Sequence, residues 1–167
     1  MVVTLGAILL NPPLTRGTRT VNSLCIAADI LECDTVEVAN LFSVPTRDVT
    51  VINSIGRSTA GWEAARTQLL QVVSESDHLL AGWGVSGLSG LASTRRLMQI
   101  EYVYSCARKT GKNAIWTLNG EARHPSRWHQ YVSDRHGRAR GNSLRDRIGS
   151  VLTQIPVPPE SVQDIHP

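Results

Sequence analysis

Val2 to Leu10 is an almost unbroken apolar run, and Asn11-Pro12-Pro13 stops it abruptly. The run is too short to cross a bilayer. It reads instead as a strand buried on both faces. Such a strand needs a covering layer on each side, which confines the chain to the α/β class. The rest of the sequence alternates accordingly. Thr20 to Leu31 puts Val21, Leu24, Cys25, Ala28 and Leu31 on one helical face. Thr35 to Leu41 reads as a second strand, and the connection Phe42 to Arg57 is long enough to carry function. Ser58 or Thr59 caps a helix to Ser76 with Trp62, Ala65, Leu69, Val72 and Val73 inward. His78 to Trp83 is a third strand, and the glycine-rich turn Gly84 to Gly90 leads into a helix from Leu91 to Thr110. Gly111 is placed to terminate that helix. Asn113 to Leu118 is a fourth strand, and a short helix falls near Leu144 to Leu152. The expected architecture is a three-layer α/β/α sandwich around a mainly parallel four-stranded sheet. One domain is expected over residues 1–155, with a loose proline-rich tail over 156–167.

Composition excludes several classes. With 167 residues, 41% apolar and 19% charged, the chain sustains a single core without staples. Cys25, Cys33 and Cys106 form neither a disulfide framework nor a zinc spacing, so a reducing cytoplasm and no metal are expected. The net charge of +3 is mild, but its distribution is uneven. Arg127 to Arg147 holds six arginines against two aspartates, with Trp128 and Tyr131 interleaved. Such a run suits a phosphate-rich partner, nucleic acid (DNA first) or a nucleotide. The plainer reading is a solvated loop around Gly137 and Gly141.

In a parallel sheet the ligand crevice lies beyond the carboxyl ends of the strands. Those ends are Asn11, Asn40, Trp83-Gly84 and the loop Asn119 to Trp128, and every conspicuous polar motif falls there. Asn11 offers a side-chain amide whose oxygen holds a water, while Pro12 fixes the turn. Asn40 offers a donor and an acceptor to the edge of a base, and Phe42, the one phenylalanine, either stacks on a ring or caps the core. Each Asn also reads as an ordinary turn residue. His124, before Pro125 on the last loop, is a candidate to stabilise a developing negative charge. Arg123, Ser126, Arg127, Arg135, Arg138 and Arg140 are candidate phosphate contacts.

Other chemistries fit poorly. Gly82 to Gly87 matches G-x-G-x-x-G after a strand, but Glu101 falls inside a helix and Trp83 occupies the approach a pyrophosphate needs. Thr110-Gly111-Lys112 lacks the rest of a phosphate loop. The histidines show no metal-ligand spacing, no nucleophile elbow is present, and Cys33 reads as a small core or surface residue rather than a nucleophile. No cofactor is expected.

Taken in order, Asn-Pro, strand-Asn, Trp-Gly and His-Pro-Ser resemble the motifs of the uracil-DNA glycosylase superfamily. Ile8-Leu9-Leu10-Asn11-Pro12 is similar to the first motif of its mismatch-specific and thymine-DNA branch. The resemblance implies Asn11 positioning the hydrolytic water, Asn40 in base recognition and His124 at a base carbonyl. It also implies a last loop that enters the minor groove. Leu10-Asn11-Pro12, Asn40-Leu41-Phe42, Trp83-Gly84 and Arg123-His124-Pro125 also resemble an uncharacterised bacterial and phage family, which brings no activity with it. Pro13 stands where the glycosylases have Gly or Tyr, and Arg127-Trp128 replaces their leucine wedge, making Trp128 the candidate wedge. The expected function is an N-glycosidic hydrolase acting on a base in nucleic acid, with Trp83 beside Asn40 and Phe42 in base binding. The alternative is a non-catalytic binder of a nucleotide or modified base on the same fold. Asp48, the nearest acid on the long connection, has an open role.

Overall fold

The computed structural model describes residues 1–15 and 17–160. Four strands, β1 (Thr4–Leu9), β2 (Thr35–Asn40), β3 (His78–Ala81) and β4 (Ala114–Leu118), run parallel. A fifth, β5 (Leu152–Pro156), returns antiparallel along β4 and completes the order β2-β1-β3-β4-β5. The sheet therefore has five strands, not the expected four. β5 is a largely exposed edge strand, so it lacks the apolar run that announces a central one. Its Pro156 is tolerated because an edge has one unpaired side. Val157 N–H donates to Asn113 O at 2.9 Å and Arg108 Nη1 donates to Pro158 O at 2.6 Å. The ordered chain thus continues past residue 155, and the expected tail beyond Glu160 lies outside the described residues.

Side chains of β1 alternate between two cores, as a pleated strand requires. Ile8 and Leu10 pack with Trp62, Leu69 and Val73 of α3 (Ala60–Glu75) and Val103 of α4 (Gly90–Lys109). Leu5 and Ala7 pack on the other face with Leu24 and Ala27 of α1 (Thr18–Ile30) and Ile148 of α6 (Leu144–Val151). The three layers follow directly. The buried face of α1 differs from the expected one. Ser23, Leu24, Ala27 and Ala28 are inside, while Val21 and Cys25 are exposed. Ser23 Oγ donates to Pro125 O at 2.9 Å and fixes that rotation.

The long connection after β2 is not structureless. It holds α2 (Val49–Ile55), capped by Asp48, whose Oδ1 accepts from Thr50 N–H at 2.8 Å. That bond lowers the Asp48 pKa below the ordinary carboxylate value. From β1 the chain crosses to β2 on one side and then returns to β3 on the other. The crevice of such a sheet opens where this direction reverses, at the carboxyl ends of β1 and β3. Among the described residues no helix is long and apolar enough to cross a membrane.

Candidate active site at the carboxyl edge of the sheet

A cleft of about 350 Å³ lies at that reversal. This is within the range of small-molecule sites, roughly 300–1,000 Å³. Each parallel strand's following loop contributes to its wall. Leu10 to Pro13 follow β1, Thr46, Arg47 and Val49 follow β2, Trp83, Gly84 and Ser86 follow β3, and His124, Ser126 and Arg127 follow β4.

Asn11 is oriented by its own loop. Its Nδ2 donates to Thr46 Oγ1 at 2.9 Å and to Pro12 O at 3.1 Å. With both amide protons engaged, Oδ1 is the free end. It accepts nothing from the described residues and is not sealed from solvent. A carbonyl oxygen held in this way can position a water without deprotonating it.

His124 is equally well defined. Its Nδ1 accepts from Ser126 N–H at 3.3 Å and lies 2.8 Å from Ser126 Oγ. Because Nδ1 accepts, the neutral ring carries its proton on Nε2. Burial, then the Arg127 charge, pushes the His124 pKa below the ordinary histidine value. The residue is thus a neutral hydrogen-bond donor at the cleft, suited to polarising a carbonyl oxygen rather than to delivering a full proton.

The turn after β3 is held from behind. Arg96 of α4 is 8% exposed. Its guanidinium donates to Ser86 O at 2.6 Å, to Trp83 O at 3.4 Å and to Gly84 O at short range. Desolvation lowers its pKa. Gly84 takes φ +85°, the left-handed region open to glycine. At Gly82 a Cβ would sit 2.8 Å from Leu9 Cδ2 and 3.0 Å from Pro125 Cδ, so the turn packs directly on the last loop. Of the glycines in the dinucleotide-like motif, Gly82 is therefore a packing residue and Gly84 a turn residue.

Three expected site residues are placed elsewhere. Phe42 is 1% exposed and packs with its ring centroid 4.8 Å from that of Trp62, so it is core and does not stack on a ligand. Trp128 is 0% exposed, and its Nε1 donates to Arg123 O at 2.8 Å. It opens the one-turn helix α5 (Trp128–Tyr131), which turns the indole under the sheet, so it cannot serve as a wedge. Asn40 ends β2 beside Leu9 but does not line the cleft, and its Oδ1 is buried without a partner. Trp83, buried and edge-on to Tyr104, forms the apolar wall.

The arginines divide into groups. Arg127 lines the cleft. Arg123 pairs with Glu121 and stacks 4.1 Å from the centre of the Tyr131 ring, with Arg138 4.8 Å away over the same ring. Arg145 and Arg147 are paired with Asp29 and Asp134. Arg135, Arg138 and Arg140 are exposed without a carboxylate partner among the described residues. Sequence reasoning missed Thr46, Arg47, Ser86 and Arg96. The length of the second connection flagged the first two only as a segment. Arg96, beside Arg95 on a helix, carries no signal that separates it from a solvated charge.

Comparison with protein-family models, curated proteins and solved structures finds no match.

Proposed function

We propose that the cleft cleaves the N-glycosidic bond of a nucleotide unit. One observation carries this reading: Asn11, with its amide oxygen unpartnered, and His124, with Nδ1 accepting, line one 350 Å³ cleft from different strand ends. The motif resemblance to uracil-DNA glycosylases supports it. In the reaction the C1′–N bond breaks and its electron pair leaves with the base. His124 Nε2–H donates a hydrogen bond to the base carbonyl oxygen on which that charge collects. Water held by Asn11 Oδ1 bonds to C1′, and the proton it loses neutralises the departing base. Trp83 bounds the base on its apolar side. Among the described residues the cleft lining contains no carboxylate, so water is positioned and not activated, and turnover is slow.

That same absence favours a second reading, a binding protein that holds a nucleotide without cleaving it. Asp48 does not rescue catalysis, because its carboxylate caps α2. Incubation with oligonucleotides and nucleotides, followed by mass spectrometry for free base, separates the two. Base release that disappears in Asn11→Ala supports hydrolysis; binding without release supports the second reading.

A further inference from the structure

The cleft is cationic. Arg47 and Arg127 line it, and neither is paired with a carboxylate among the described residues. Arg96 lies directly behind the turn that carries Gly84 and Ser86. It is buried, its Nε has no partner, and all its hydrogen bonds go to carbonyl oxygens. A buried guanidinium without a counter-charge is costly, and an anion on the far side of the turn offsets that cost. In a trans peptide C=O and N–H point in opposite directions. Carbonyls of Gly84 and Ser86 drawn to Arg96 therefore direct the N–H groups of Val85 and Gly87 away from Arg96, beside the cleft-lining Gly84 and Ser86. Neither N–H finds an acceptor among the described residues. Hydroxyls of Thr46, Ser86 and Ser126 also belong to the lining.

The two side chains expected to meet a flipped base do not reach the cleft. Trp128 and Phe42, the side chains that would wedge or stack, are both buried. A substrate that brings its own phosphate into the cleft and needs no flipping suits this arrangement better than a stacked base.

We propose that the cleft takes a free nucleoside phosphate, its phosphate held between Arg47, Arg127 and Ser86 on the turn that Arg96 backs. This rests on the reading of the cleft as a nucleotide site and narrows its substrate class. The phosphate is a dianion near neutral pH, and guanidinium groups bind it through charge-assisted hydrogen bonds.

The test is calorimetric titration of the full chain with deoxyribo- and ribonucleoside 5′-monophosphates, the matching nucleosides, inorganic phosphate and a single-stranded oligonucleotide. At least one monophosphate should bind about tenfold or more tighter than its nucleoside. Arg47→Gln and Arg127→Gln should each erase most of that difference. Both side chains are exposed, so neither change threatens the fold. Lys112→Gln, at the opposite edge of the sheet, should leave it intact. Equal affinity for monophosphate and nucleoside, or an equal loss in Lys112→Gln, overturns the proposal. So does an oligonucleotide that binds while no mononucleotide does. Base release from oligonucleotides without mononucleotide binding would sink this inference and leave the hydrolase reading standing. Phosphate-dependent binding without base release from any substrate would do the reverse.

Discussion

Trp128→Phe separates a wedge from a core residue. The indole is 0% exposed and donates to Arg123 O at 2.8 Å. Phenylalanine keeps the apolar ring but leaves that carbonyl without its donor, at about 1–2 kcal/mol. The missing ring atoms leave a void of roughly 40 Å³, worth about 1 kcal/mol at ~24 cal/mol per Å³. The sum is about 2–3 kcal/mol, or a Tm lower by roughly 4–12 °C for a chain of this size. Thermal unfolding followed by circular dichroism measures it, with nucleotide and oligonucleotide affinity measured on the same sample well below the transition. The expected result is a lower Tm with affinity retained. An unchanged Tm with lost oligonucleotide binding would mean that Trp128 reaches the ligand, and the burial argument would be wrong.

Asn11→Ala should reduce turnover about 100-fold or more, because the water loses its orientation, while stability falls by only about 1 kcal/mol for the bond to Thr46; steady-state rates and denaturant melts read the two separately. His124 is neutral above its depressed pKa. Turnover should therefore decline as pH falls through a value below the ordinary histidine value, and a pH–rate profile of His124→Gln should lack that limb. For stability the sign is the same. The contribution is fully present above the unfolded-state pKa, about 6.5, and is lost as pH falls through the lower folded value. Arg96→Met leaves three carbonyls without a charged donor and should cost about 2–4 kcal/mol after relief of desolvation, seen as a lower urea midpoint. Retained stability there would show that the turn does not depend on Arg96.

Much of the fold was legible because burial leaves long patterns. The run before Asn11 could only be a central strand, and α3 carried its apolar face over several turns. The edge strand β5 was not legible, since pairing on one side demands no apolar run and its prolines read as a tail. α2 was hidden by the β-branched Val-Thr-Val-Ile sequence, although Asp48 two residues before Thr50 is a readable cap. At the site, Asn11, Trp83, His124, Ser126 and Arg127 were legible because strand ends are fixed by topology. Trp128 was misplaced and Phe42 left open between ligand and core because their exposure depends on tertiary packing, under the sheet in one case and against Trp62 in the other. Arg96 was invisible because its role comes from the three carbonyls it meets, which lie 10 to 13 residues away on a turn.

The most direct measurement is free base released from a panel of nucleotides and of single- and double-stranded oligonucleotides. The panel carries uracil, thymine mismatches, hydroxymethyluracil, hypoxanthine and alkylated bases. Mass spectrometry reads the released base for the native chain and for Asn11→Ala. The account predicts slow release by the native chain and none by the variant, with binding retained by both. Release that persists in Asn11→Ala, or no release from any member of the panel, would contradict it.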